Sequence, residues 1–166
     1  MEDREAIVAL KTAYIRHLYR GFVSESALQV LDPTPYDIDF LNGIDNPKRK
    51  IILSEENGTL IGYVAYGADP DEPGCALLDD VALTPGCSPE IREELLMYAV
   101  EDMATRGTPV VHTWVMRDNF RARFLFEKFG FRCEGKVRTF SRQGNEFQQI
   151  RYAYFTPEQG QQTGGM

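Results

Sequence analysis

The chain has 166 residues, a 43% hydrophobic share and a net charge of −7. That is enough for one domain with a real core, since a chain of this length hides about 70% of its unfolded surface. No apolar run approaches the ~18 residues that cross a bilayer, residues 1–10 mix acids and bases where a signal peptide needs an apolar stretch, and a nucleic-acid partner would need a basic stripe.

The first thirty residues read as helix. Ile7, Leu10, Tyr14 and Leu18 recur at spacings of three and four and share a face. Gly21 ends that run, and Ser24 is placed to cap a short helix through Ala27, Leu28 and Leu31, broken at Asp32-Pro33. A further short helix is expected around Asp37–Leu41. From Lys50 the period changes. Ile51–Leu53 leads into Asn57-Gly58, the favoured pair for a type I′ turn, and Leu60–Tyr66 alternates after it, which predicts a β-hairpin.

A polar loop at 69–74 precedes a third strand, Ala76–Leu83, closed by Pro85-Gly86. Ser88 and Pro89 form a helix start, a cap followed by proline at the first helical position. That helix carries Ile91, Leu95, Ala99 and Met103 on one stripe and stops at Gly107. Residues 109–116 form the next strand, parallel to the third through a right-handed crossover. Asp118-Asn119 opens a helix with Ala122, Leu125, Phe126 and Phe129 inward, ended by Gly130. Strands Phe131–Phe140 and Phe147–Phe155 close the chain around Gln143–Glu146. The reading is one domain over residues 1–156 and a disordered, polar, Gly-rich tail at 157–166.

Three cysteines, Cys75, Cys87 and Cys133, form no CxxC pair, so neither a disulfide framework nor a metal site is indicated. His17 and His112 have no Cys or acidic partner at ligand spacing and read as structural. Cys87 has no adjacent His to activate it. Trp114 reads as core or a cleft wall, and Tyr63 and Tyr66 as cleft lining or packing.

The run Asn119-Phe-Arg-Ala122-Arg-Phe-Leu-Phe126-Glu127-Lys128-Phe-Gly130-Phe131 resembles the N-x-x-A-x-x-x-Y-E-K-x-G-F segment of the GNAT superfamily of N-acyltransferases. Leu78–Leu96 is similar to that family's acyl-CoA-binding strand, proline and helix. Tyr19-Arg20-Gly21-Phe22-Val23 resembles the Y-R-G-[FL]-V between its first two helices. The resemblance implies an α/β fold of GNAT type: a mixed, mostly antiparallel sheet with one splayed parallel pair and helices on both faces. It implies acetyl-CoA, or another acyl-CoA, as cofactor and a small-molecule or peptide amine as acceptor; the odd, widely spaced cysteines point to a reducing compartment and so to a cytoplasmic location. A homodimer is compatible with the sequence.

The family usually begins with a strand. Here helical periodicity starts at once, so that strand is lost, survives as a stub at Met1–Arg4, or belongs to a longer protein. In the family, backbone beside the splay meets pantetheine, which points to Val81, Ala82 and Leu83. The helix N-terminus meets pyrophosphate, which points to Ser88, Ile91 and Arg92. The family's Q/R-x-x-G-x-G/A loop is eroded. Ser88 stands where a basic or glutamine residue is expected, Pro89 removes an N–H, and Ile91 is near a glycine position. Glu90, Glu93 and Glu94 add negative charge, with Arg92 the one cation close by in sequence.

A glutamate base of some members falls at Leu77. Asp79 lies on the same strand face unless a bulge intervenes, with Asp80 pointing the other way. Asp79 is therefore the candidate base, with a structural ion pair as its alternative. Phe126 replaces the tyrosine that commonly protonates the leaving thiolate; it packs on the pantetheine arm or in the core. Asn119 is a pantetheine ligand or an ordinary helix cap. Two functions follow from the resemblance: acetyl transfer from acetyl-CoA to a primary amine by direct attack, or a catalytically silent binding or regulatory domain of the same fold.

Overall fold

The computed structural model describes residues 2–20, 24, 26 and 48–157. The expected helices through Ala27–Leu31 and Asp37–Leu41, the stop at Gly21 and the tail from residue 158 lie outside these residues. Helix α1 spans Glu2–Tyr19. Residues 2–4 are helical already, so no strand stub lies there. Then come β1 (Arg49–Glu56), β2 (Thr59–Ala68), β3 (Ala76–Leu83), α2 (Pro89–Thr105), β4 (Val110–Met116), α3 (Phe120–Phe129), β5 (Arg132–Arg142) and β6 (Asn145–Phe155).

The six strands form one sheet in the order β1-β2-β3-β4-β6-β5. Only β3 and β4 run parallel; the other neighbours are antiparallel. Two tight turns set the registers of the hairpins. Asn57 and Gly58 (φ 53° and 78°) join β1 to β2, and Gln143 and Gly144 (φ 50° and 80°) join β5 to β6. Positive φ at both central residues is the type I′ geometry that matches strand twist. The second turn is thus two residues long, shorter than Gln143–Glu146.

Alternation along β2 sends neighbours to opposite layers. Tyr63 packs with Ile7 and Leu10 of α1 and with Ala82. Val64 and Tyr66 lie under α2 with Leu78, Val81, Leu95, Leu96, Ala99 and Met103. Each such aliphatic side chain, fully buried, contributes about 1.5–3 kcal/mol. The hydroxyls of the two tyrosines end on carboxylates: Tyr63 on Asp80 at 2.5 Å, Tyr66 on Asp102 at 2.6 Å. Both are packing residues, and neither lines the cleft described below. Helix α3 joins the α2 side through Ala122 and Phe126, with Phe126 edge-on to Phe131 at 5.2 Å.

Two irregularities shape the middle of the sheet. Pairing of β3 with β4 ends at Leu78↔Thr113. Strand β3 nevertheless stays with β2 out to Leu83↔Gly62, and β4 with β6 to Met116↔Gln149. The two parallel strands therefore part beyond Leu78, where Thr113 Oγ1 donates to the Leu78 carbonyl at 3.0 Å. The second irregularity is a bulge in β3. Ala65 faces Asp80 and Tyr66 faces Leu78, leaving Asp79 as the extra residue. Leu78 and Val81, three apart, consequently share the layer under α2, and Asp79 and Asp80 both line the opening between β3 and β4. The expectation that Asp80 points away from Asp79 is corrected: strict alternation fails where one strand carries an additional residue.

Candidate functional site

Two connected hollows meet at the splay. One, of about 130 Å³, lies between β3 and β4 and is lined by Asp79, Asp80, Val81, Thr113, Trp114, Asn119 and Phe126 among others. The second, of about 260 Å³, runs from Leu83 past Pro85, Gly86 and Cys87 to the start of α2 and along α3. Tyr14, Leu18, Arg92 and Ala122 line both.

The loop at the foot of α2 is built by local chemistry. Cys87 N–H donates to the Thr84 carbonyl at 3.0 Å, and Gly86 has φ 84°. Proline then glycine at the centre of such a turn is the type II signature. It delivers the chain to Ser88 and Pro89, where α2 starts. Ser88 stands at the cap position, but its hydroxyl reaches the Glu90 carboxylate instead of a backbone N–H. Ser88, Ile91 and Ala82 are not among the residues lining either hollow. Ser88 turns outward with Glu90, and Ala82 is buried under α1.

Arg92 is the central residue. It is 7% exposed, its guanidinium lies 5.0 Å from the centre of the Phe126 ring, and Nη1 reaches the Tyr14 hydroxyl at 3.4 Å. Nε and Nη2 are buried without a hydrogen-bond partner among the described residues. Unpaired buried donors on a cation are costly, and an anionic or carbonyl ligand in the hollows would satisfy them. The fold adds cations that sequence distance conceals: Arg121 and Lys128 of α3 line the larger hollow with Arg92, against the single acid Glu93 among the described residues. Glu90 and Glu94 do not face it. The expected acidic cradle is corrected in that respect. Anionic cofactor chemistry thus fits the residues present.

The two aspartates are differentiated by their partners. Asp80 accepts from Lys11 Nζ and from Tyr63 Oη, both at 2.5 Å. Asp79 makes one ion pair, with Arg49 Nε at 3.1 Å, and its side chain is 31% exposed against 19% for Asp80. Burial pushes the Asp79 carboxyl up to about 6; Arg49 opposes this, while Asp80 and Asp69 add to it. Asp79 is thus the less firmly paired of the two carboxylates.

Asn119 caps α3, its Oδ1 accepting from Ala122 N–H at 3.1 Å, and it also lines the cleft. Phe126 is buried in the core and forms the cleft floor beneath Arg92. Trp114 is a cleft wall, with the Arg138 guanidinium 4.2 Å from the centre of its ring. His17 is exposed at the rim of the larger hollow. Nothing in the sequence marked Lys11 or Arg49 for the site, and Tyr14 read there only as part of the apolar face of α1. Tyr14 had the only available signal, a hydroxyl on the apolar stripe of α1.

The Acetyltransferase (GNAT) family profile matches residues 13–131. No curated protein sequence matches the chain. Among solved structures, the PaiA N-acetyltransferase of Thermoplasma acidophilum in complex with coenzyme A aligns over 93% of both chains at 20% identity, with TM-score 0.71. A GCN5-related N-acetyltransferase from Rhodopseudomonas palustris aligns over 93% of this chain and 90% of its own at 16% identity, with TM-score 0.77. The ribosomal-protein-S18-alanine N-acetyltransferase of Escherichia coli aligns over 94% and 89% at 15% identity, with TM-score 0.67. At these identities the structures testify to the fold. The family match spans most of the chain and includes the splayed strands, the proline turn and the α3 segment, so the chain belongs to the GNAT acetyltransferase family.

Proposed function

We propose that this protein, as a single domain over residues 1–156, transfers an acyl group, most simply acetyl, from acyl-CoA to a primary amine of a small molecule or peptide in the cytoplasm. The observation that carries the reading is Arg92: a buried cation with two unsatisfied donors at the junction of the two hollows. When bound, the thioester supplies an activated acyl carbonyl.

The start of α2, Arg92, Arg121 and Lys128 would hold the phosphates, by helix dipole and charge. Strand β3 beyond Leu78 offers backbone groups that β4 leaves free. Asp79 takes a proton from the incoming ammonium, directly or through one water. A carboxyl with its pKa near 6 is mostly ionised at neutral pH yet more basic than an ordinary aspartate. With Phe126 lacking a hydroxyl, Tyr14 is the group lining both hollows that can return a proton to the departing thiolate. Positioning of the reactants in a partly closed cleft supplies the rest.

A second reading has its own support. Phe126 lacks a hydroxyl, Glu93 faces the larger hollow and Pro89 withholds an N–H, as suits a catalytically silent binding domain. Titration with acetyl-CoA while following the melting temperature decides first whether cofactor binds. At 100 times the dissociation constant the stabilisation is about 2.7 kcal/mol. No shift at millimolar acetyl-CoA overturns both the enzyme reading and cofactor binding. A shift without CoA release across a panel of primary amines favours the silent domain.

A further inference from the structure

The β2–β3 loop and β4 assemble a second cluster, separate from the two hollows. His112 of β4 is 2% exposed, and its Nδ1 lies 2.8 Å from Asp69 Oδ2. With a carboxylate as acceptor, Nδ1 carries the proton, and Nε2 is left to face the loop. There it meets Glu72 Oε2 at 3.6 Å and Glu134 Oε2 at 4.0 Å. Cys75 Sγ is 3.8 Å from the same Glu72 oxygen. The donor atoms of Glu72, Cys75 and His112 all lie within 4.8 Å of one another.

From these positions we infer that Glu72, Cys75 and His112 form a three-ligand zinc-binding site whose fourth position is open to solvent, with Asp69 as the residue that orients the imidazole.

Ligands bound at about 2.0–2.3 Å around a tetrahedral ion stand roughly 3.3–3.8 Å from each other. The distances seen here need only small side-chain rotations to reach that arrangement. A sulfur, an imidazole nitrogen and carboxylate oxygens together select zinc over magnesium or calcium, which prefer oxygen alone. The His–carboxylate pair is the usual outer support of a metal-bound histidine: it sets the tautomer and the ring orientation.

The loop is braced for the purpose by its own backbone. Asp69 N–H donates to the Cys75 carbonyl at 2.9 Å, Cys75 N–H to the Glu72 carbonyl at 3.2 Å, and Asp71 N–H to Asp69 Oδ1 at 2.9 Å. Arg151 holds Glu72 through Oε1 at 2.8 Å, leaving Oε2 toward His112, and holds Glu134 Oε2 at 2.5 Å. Its positive charge weakens cation binding but fixes both carboxylates in place. On binding, the Cys75 thiol gives its proton to solvent as the sulfur–zinc bond forms, with no change of oxidation state. The ion ties the β2–β3 loop to β4. Sequence spacing hides this site because its members come from two distant segments; only Glu72-x-x-Cys75 is local.

The full chain, freed of metal with a chelator, is titrated with Co²⁺ alone and then with Zn²⁺ in competition. One Co²⁺ per chain is expected, with a thiolate-to-cobalt charge-transfer band. Cys75→Ser should remove the band and weaken zinc binding more than 100-fold. Asp69→Asn should keep the band and weaken binding about 10–100-fold. Should Cys75→Ser fail to fold, Glu72→Gln, at a side chain 39% exposed, serves as the second variant and should weaken zinc binding by at least tenfold. No stoichiometric binding at ~100 µM metal overturns the assignment. So does a band that survives Cys75→Ser, which would place the metal on Cys87 or Cys133, or affinity unchanged in Glu72→Gln.

Discussion

Arg92 spends most of its surface on Phe126 and the core while two of its donors go unmet. Replacing a buried, unpaired cation by an apolar side chain of similar length is neutral or stabilising. Arg92→Met should therefore leave the melting temperature of the free protein unchanged or raise it. It should weaken CoA binding by about 10–150-fold, the value of a hydrogen-bonded charge at 1.5–3 kcal/mol. Calorimetry on the same samples checks both halves; unchanged CoA affinity would remove Arg92 from the cofactor site. At Asp79, substitution to Asn should lower the turnover rate by about 10²–10⁴-fold with acyl-CoA affinity retained. The acidic limb of kcat/KM, expected near pH 6 from the raised carboxyl, should disappear in that variant. A limb that persists would assign the base elsewhere.

The elements impose their own expectations. At the start of α2, Glu93 faces the larger hollow whereas Glu90 is exposed and bonded to Ser88. Glu93→Gln should tighten CoA binding a few-fold in low salt, an advantage that shrinks as salt rises, and Glu90→Gln should leave it unchanged. Equal effects of the two variants would mean that α2 presents a different face. Tyr14 of α1 and Phe126 of α3 both line the cleft, each against Arg92. With Tyr14 supplying the acid, Tyr14→Phe should lower kcat about 10²-fold while the KM for acyl-CoA changes little. Phe126→Tyr should add little to a protein that already has its proton donor. A large gain in the rate of CoA release from Phe126→Tyr, with Tyr14→Phe silent, would show that α3 is the missing source of the acid.

At the scale of the whole molecule, Asp79, proposed above as the base, also bears on stability. Its carboxyl lies at about 6 in the folded state against 3.8 when free. Between those values the folded protein binds more protons than the unfolded one, so stability from this group falls as pH rises from about 4 to about 6. Above pH 6 the charged carboxylate is a net burden on the fold. Asp79→Asn should remove that decline and stabilise the protein at pH 7–8 on the order of 1 kcal/mol. The full shift would give about 3 kcal/mol, but the side chain is partly exposed and Arg49 loses its partner. Asp102 acts in the opposite sense. The Tyr66 hydroxyl holds its carboxyl below the usual range, so its contribution is present above about pH 4 and is lost in stronger acid. Melting curves of wild type and Asp79→Asn from pH 4 to 8 test the prediction: parallel curves would refute it.

Within the described residues, the sequence by itself determined the elements and their order. Helical spacing at Ile7–Leu18, alternation in β2, the Asn57-Gly58 turn, the proline start of α2 and the Asn119 cap of α3 are local effects, set by residues a few positions apart. The parallel β3–β4 pair followed from a crossover rule that needs only element order. What only the tertiary structure decided is the chemistry between segments. The bulge at Asp79 depends on how β3 registers against β2, and it turns two adjacent aspartates into one cleft. Lys11, Tyr14 and Arg49 reach Asp80, Arg92 and Asp79 from tens of residues away, so no periodicity announces them. Arg121 and Lys128 offset the acids of α2 only because α3 packs beside it. His112 gains Asp69, Glu72, Cys75 and Glu134 by the same route. Short-range backbone preferences are written along the chain, whereas the charge and donors of a cavity are sums over whatever the fold brings together.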